Sequence, residues 1–377
     1  MRDALASPGL WALAWRRLRA DRLAMAALAV VVAFLLMLLL SASGLIVADW
    51  EDEVAVNYAP PTFLLDHVAQ GLAGAAAVAA ASAGASAAAP PPDNPFDPLA
   101  ADLAELRAQR KEPGAAVPDM YGLTDPLAAD LARLRATLPA QSRGHGARLS
   151  SLPFGADKWG HDVLKKTIKG GETSIVVGLV AALLAVALGT LFGAVSGYFG
   201  GLVDDLFNWF YSIFTSIPSI LMILAVAAVL QQKGVLTIVL ILGLTGWTGP
   251  YRLIRAEYIK HKGREYVLAA DAIGASHWRK MFGHIFPNVS HVALVQLSIL
   301  VVGFIKAEVI LSFLGFGVPV GVVSWGSMLN EAQNELILGK WWQLTAAATA
   351  MALLVTAFSL LTDALRDALD PKVRSLA

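Results

Sequence analysis

Arg264–Asn288 reads REYVLAADAIGASHWRKMFGHIFPN, a polar stretch within residues 251–290 that has apolar runs on both sides. Glu265–Ile273 has the composition of a helix, Gly274 stops it, and Ser276 can cap a second helix leading toward Pro287-Asn288. Ala269 and Ala270 are small and let another surface come close to the helix backbone. Gly274 supplies a tight turn at positive φ. An ordered helix–turn–helix between two apolar spans is a surface on which a soluble partner can act. An amphipathic interfacial helix also mixes Arg with Tyr, Val and Trp, and spacing does not separate the two readings.

Working outward, the class of the protein is set by its apolar runs. Of 377 residues, 56% are hydrophobic and 15% charged, against about 25% charged in ordinary soluble domains. The longest runs exceed the roughly 18 residues at which a helix can cross the hydrocarbon core. The fold class expected is therefore an all-α polytopic membrane protein. Net charge is zero, which leaves no electrostatic case for nucleic acid. Without cysteine there are no disulfides, no thiol catalysis and no Cys-based metal site.

Six candidate spans follow from the pattern, at about 23–47, within 173–203, and at about 206–230, 235–249, 292–314 and 341–362. The fourth is the shortest. Pro218 is expected to kink the third span and Pro250 to end the fourth. Arg16, Arg17, Arg19 and Arg22 precede the first span. Arg252, Arg255, Lys260, Lys262, Arg264, Arg279 and Lys280 lie in the 251–290 loop, and Arg366, Lys372 and Arg374 close the chain. With six spans these three basic segments share one side, the cytoplasm by the positive-inside rule, so both termini are cytoplasmic. Lys158, Lys165, Lys166 and Lys169 fall on the other side, in a long loop where charge directs little. The first span also carries signal-peptide features, but its uncharged run is longer than an h-region and reads as an anchor.

This division gives three parts: 1–48 with the first span, 49–150 as an extracytoplasmic insert, and 151–377 as a five-helix core containing the 251–290 loop. Gly71–Pro92 is Ala-rich and ends in three prolines, a linker composition. Asp97-Pro98-Leu99 to Arg107 recurs as Asp125-Pro126-Leu127 to Arg135. Each copy has a capping Asp followed by Pro, with leucines at helical spacing, and predicts a short amphipathic helix.

The loop resembles the signature of ATP-binding-cassette (ABC) importer permeases, a Glu-Ala-Ala, a later Gly and a final Leu-Pro. Here Ala269, Ala270, Gly274 and Pro287 match, Leu268 replaces the Glu, and Phe286 replaces the Leu. Glu265 stands one helical turn earlier and can supply a carboxylate. Further motifs resemble the second, C-type, permease of dipeptide, oligopeptide and nickel importers. They are Pro153–Leu164, containing Gly155, Asp157, Gly160 and Asp162; Gly197–Gly201 with Asp204; and Ala307–Gly317, containing Glu308, Ser312, Gly315 and Gly317. Ser324–Leu329, with Trp325 and Gly326, and Asp363–Pro371 complete the set. Ala156 and His161 stand where the family pattern has Thr and Arg, and the family's Pro-Gly at the start of the last span is missing from Gln343–Ala350.

The resemblance implies the type I importer fold, with six transmembrane helices and a coupling helix in the 251–290 loop. It implies a second homologous permease subunit, two cytoplasmic ATPases, an extracytoplasmic solute-binding protein and surrounding lipid. ATP and Mg²⁺ would sit on the partner ATPases, since this sequence has no phosphate-binding G-x-x-x-x-G-K-[ST] loop, and no catalytic residue or metal ligand is expected in it. The function implied is peptide import across the inner membrane by alternating access, with nickel or another small solute as alternative cargo. A gradient-driven secondary transporter or channel is the rival from another class. It calls for ionisable residues at mid-membrane, and the spans other than the fifth carry none at their centres.

Lys306 and Glu308 are the charges inside a span. Two apart, they do not share a helix face. Interfacial anchoring, pairing between subunits and lining of the pathway are all open to them. Trp325, Trp341 and Trp342 suit a membrane–water interface or a partner contact. Asp157, His161 and Asp162 are ligand types, but one His at ordinary spacing makes a weak metal site.

Overall fold

A computed structural model describes residues 10–64, 148–319 and 321–369. The linker and tandem repeat expected within 65–147 lie outside the described residues, as does Pro371. The described part is helical. In chain order, α1 spans Leu10–Ala20, α2 Arg22–Ala42, α3 Val163–Phe199, α4 Gly201–Ser216, α5 Ser219–Leu230 and α6 Val235–Thr245. They are followed by α7 at Thr248–Lys262, α8 at Glu265–Ala272, α9 at Phe286–Phe313, α10 at Trp325–Ile337 and α11 at Trp342–Leu369. Among the described residues, four helices are long and apolar enough to cross a membrane, and five if the bent pair α4–α5 is one span.

The kink expected in the third span is present, and the fourth expected span needs correcting. The third expected span turns by 87° between α4 and α5. Pro218 sits at the break, where its missing N–H and fixed φ end the helix before it. The fourth, α6, has 11 residues and is about 16 Å long, short of the roughly 30 Å of hydrocarbon. Pro250 does not end it. The break falls at Gly246-Trp247, and Pro250 lies in the first turn of α7, where its absent N–H has no intrahelical partner to lose.

The central helix is α3, against which α7, α9 and α6 pack. Its approach to α7 is made on one glycine face. A Cβ built at Gly189 would lie 2.6 Å from the Trp247 carbonyl oxygen. At Gly193 it would lie 2.8 Å from Tyr251 O, and at Gly197 2.7 Å from Arg255 O. Spaced four apart, these glycines let two backbones touch, which is how helices associate in lipid without a hydrophobic driving force. A 3.0 Å hydrogen bond between Ser196 and Tyr251 locks the same crossing, and Arg255 of α7 pairs with Asp204 of α4, 2.6 Å at both bonded atom pairs, while Ser196 of α3 also donates to Asp204.

The ends of the bundle are set by the long helices. Leu23 of α2 lines one groove with Thr356 and Leu360 of α11. Arg366 and Leu369 of α11 line another with Leu253, Glu257 and His291. The N-terminal arginines before α2, the loop after α6 and Arg366 therefore lie toward one end. At the other end the chain following α2 pairs with the lead-in to α3: Ala55 N–H donates to Gly160 O at 3.1 Å and Ala156 N–H to Ala59 O at 2.8 Å. Thr62 N–H donates to Leu152 O at 2.9 Å, so the chain leaves and re-enters this unit at adjacent points.

Gly193→Leu should prevent a stable α3–α7 crossing, because overpacking of about one to three kcal/mol meets immovable backbone. Gly263→Ala, where nothing lies within 4 Å, is the control. Thermal unfolding in detergent should show a fall only for the first. Replacing residues 65–147 by about four Gly/Ser residues should leave the melting temperature of the purified chain unchanged, since the ends are already held together.

Candidate functional site

At the basic end, α8 stops at Gly274. Its φ is +78°, and its N–H donates to Asp271 O at 2.9 Å. Ala275 N–H returns to Ala270 O at 3.0 Å, satisfying the last carbonyls of α8. Ser276 Oγ then accepts from Arg279 N–H at 3.4 Å, the cap its position predicts. The following helix is wide, with a π-helical segment at Arg279–Ile285 running into α9. Pro287 lies two residues beyond it, in the first turn of α9; without an N–H it cannot continue the i→i−4 ladder, and the wide turn is the local accommodation.

The hairpin is braced to the bundle. Lys280 donates to the Asp271 carboxylate and ties its two arms. That hydrogen bond holds the Asp271 carboxyl below its usual range and raises the Lys280 ammonium above its own. Tyr198 at the end of α3 bonds His277 Nδ1 at 2.9 Å, and Tyr258 of α7 donates to Met281 O at 3.0 Å. The two alanines of the motif divide: Ala270 is buried inside the hairpin and Ala269 is exposed. Leu268, Ile273 and Trp278 are 56%, 83% and 60% exposed, so the tip presents apolar side chains while the arms are internally satisfied. Glu265 shares the exposed face with Leu268, one turn away.

At the opposite end the remaining motif residues form one interior structure. Asp157 is fully buried. Its Oδ1 accepts the N–H groups of Trp159 at 2.8 Å and His161 at 3.0 Å, and its Oδ2 accepts from Lys166 Nζ at 2.7 Å. Burial alone would raise its carboxyl; the Lys166 ammonium outweighs this and holds it below the usual range. Asp162 caps α3 through Leu164 N–H at 2.8 Å, so Asp157, His161 and Asp162 do not converge as a ligand set. Gly155 and Gly160 have φ of +82° and +91° and turn this loop.

Glu308 and Lys306 point apart. Lys306 is exposed and Glu308 is fully buried. Glu308 accepts from Ser174 Oγ at 2.6 Å and Ser312 Oγ at 2.7 Å, and Ser174 Oγ accepts from Trp325 N–H at 3.2 Å. Glu308 thus joins α3, α9 and α10 within this chain. Its hydrogen-bond partners are thus supplied by this chain, while Lys306 faces outward. Trp325 is no interfacial anchor: it is fully buried and donates from Nε1 to Thr167 O at 2.9 Å. Trp342 is buried with Nε1 on Ala156 O at 2.7 Å, which leaves Trp341 as the half-exposed member of the pair. Gly326 and Gly317 sit against Ser312, where a Cβ would collide, while Gly315 turns the chain after α9 at φ +84°.

Glu335, which the motifs did not single out, belongs to this end. It is a buried carboxylate on α10 that no side chain among the described residues bonds. Its signal in the sequence is slight, an acid one turn after Glu331 on an amphipathic helix.

Glu308→Leu should destabilise the chain by about 1–3 kcal/mol, because two buried hydroxyls lose their acceptor. Lys306→Gln should be neutral. Paired thermal melts in detergent check both.

Comparison with known proteins places these observations. Residues 189–375 match the family described as binding-protein-dependent transport system inner membrane component. Residues 9–61 match the N-terminal TM domain of oligopeptide transport permease C. A dipeptide transport system permease protein of Bacillus subtilis (strain 168) is 37% identical over 221 residues, 59% of this chain and 69% of the relative. An oligopeptide transport system permease protein of the same organism is 37% identical over 221 residues, 59% of this chain and 72% of the relative. An oligopeptide transport system permease protein of Escherichia coli (strain K12) is 38% identical over 235 residues, 60% of this chain and 77% of the relative.

Proposed function

The chain belongs to the family of binding-protein-dependent transport system inner membrane components and is a multi-pass permease subunit of an ABC importer, and we propose that its cargo is a di- or oligopeptide. The relatives named for dipeptide and oligopeptide transport support that cargo. In this reading the chain pairs with a second, homologous permease. Two cytoplasmic ATPases bind below, and a solute-binding protein delivers peptide from the other side. Nucleotide and Mg²⁺ belong to the ATPases.

The observation that carries the mechanism is the hairpin: an internally bonded unit with an apolar tip exposed at Leu268, Ile273 and Trp278. A docked ATPase would cover that tip, with Ala269 admitting close approach and Glu265 as the flanking carboxylate. Leu268 stands where related permeases carry Glu, so the contact here is apolar rather than charge-assisted. Motion of the hairpin passes to α3 through Tyr198–His277 and to α7 through Tyr258–Met281. Because α3 and α7 touch backbone to backbone, they move as a pair. The ATPases drive transport only if they bind the inward- and outward-facing permease with different affinity. The arginines before α2, the basic loop and Arg366 lying toward the hairpin end support a cytoplasmic placement of that end and of both termini.

Gly274→Pro removes the N–H that bonds Asp271 O and cannot adopt positive φ. Uptake of a labelled peptide by cells carrying the whole transporter should fall at least about tenfold, equivalent to about 1.4 kcal/mol of lost coupling. Membrane insertion and expression should be retained. Ala269→Trp should act in the same direction by blocking close approach. Full uptake with either variant would remove the hairpin from the coupling path.

A further inference from the structure

We propose that Glu335 is a proton-binding site built into the end of the bundle opposite the hairpin, and that its neutral form holds α10 against α3 and the lead-in loop. Glu335 is 1% exposed, and no side chain among the described residues bonds either carboxylate oxygen; the Lys158 backbone N–H approaches it and lowers its carboxyl only slightly against burial. The charges around it are already committed. Lys166 of α3, itself buried, gives one bond to Asp157 of the lead-in loop at 2.7 Å and one to Glu331 of α10 at 2.6 Å. Lys158 approaches the other Glu331 oxygen at 3.8 Å, and His161 Nδ1 lies 3.0 Å from Asp157. From α11, Gln343 donates to Glu331 and to Met328 O, both at 3.2 Å. The Lys340 ammonium is turned to the Trp342 ring, 5.4 Å from its centroid.

A charged Glu335 would be a third carboxylate beside one buried ammonium that two others already share. Buried charge without a partner is costly, and a carboxyl in that position takes up a proton instead. Burial pushes its carboxyl up to about 7; Lys166 opposes this, and Asp157 and Glu331 reinforce it. Gln343 Oε1 is a buried acceptor in the same cluster that still lacks a donor. The cluster thus holds acceptors in excess, and a proton is the ligand that corrects the imbalance. An unfolded carboxyl titrates near 4.3. Between that value and about 7 the folded chain binds more protons than the unfolded one, so stability falls as pH rises through this window.

The test is thermal unfolding of the purified full-length chain in nanodiscs between about pH 5.5 and about pH 8.5, on wild type, Glu335→Gln and His161→Asn. Wild type should lose about 5 °C over that range. Glu335→Gln should be nearly flat and more stable than wild type at the alkaline end, with His161→Asn keeping the wild-type slope. A slope that survives in Glu335→Gln, or disappears in His161→Asn alone, overturns the proposal. Infrared titration with ¹³C-labelled glutamate is the second readout and needs no stable variant. A protonated glutamic acid band should be lost from wild type near neutral pH and be missing from Glu335→Gln, or from Glu335→Leu if the Gln variant does not accumulate. No band titrating near neutrality in wild type also overturns the proposal.

Discussion

The contact on which the rest depends is the crossing of α3 and α7 along Gly189, Gly193 and Gly197. Any Cβ at these positions would meet a carbonyl or backbone nitrogen of α7 at or under about 3 Å. The crossing therefore has one register. The Arg255–Asp204 pair ties α4 to the same α7, since two N–H groups of a planar guanidinium match two carboxylate oxygens. Tyr198 lies one residue beyond the glycine face and reaches His277 of the hairpin. The position of the hairpin is in this way referred to the most closely packed part of the bundle.

The opposite end is organised by polar groups. Glu308 with Ser174, Ser312 and the Trp325 backbone forms one network, and Asp157 with Lys166, Glu331 and Gln343 forms another. In a medium of low dielectric such bonds are strong when satisfied and costly when not. They fasten α10, a short amphipathic helix, in addition to its buried Trp325, Met328 and Ala332. Glu335 sits beside these networks with no side-chain donor among the described residues, so the same physics that fastens the cap leaves a place for a proton.

Motif residues that look alike in sequence proved unlike in position. Ala269 and Ala270 are adjacent, yet one faces out and the other in, because successive helical residues are about 100° apart. Lys306 and Glu308 separate for the same reason. Trp325 and Trp341 have the same chemistry, but the capping box at Ser324 turns Trp325 inward, while Trp341 precedes α11 and stays at the surface. The 87° bend at Pro218 was legible as a kink but not in its angle, since the angle depends on what α5 packs against.

The apolar runs, the basic segments, the Gly274 turn and the Ser276 cap were determined by the sequence alone. Each rests on local physics: transfer of side chains into lipid, charge placement near span ends, and backbone conformations open to particular residues. The glycine face became meaningful only in three dimensions, because a missing side chain carries no sign of what fills its space. The place of Glu308 and Glu335 was also decided by the tertiary structure. A carboxylate's role depends on which donors the fold brings to it: Ser174, more than a hundred residues away in the chain, bonds Glu308, while Lys166 is taken by Asp157 and Glu331 and leaves Glu335 without it.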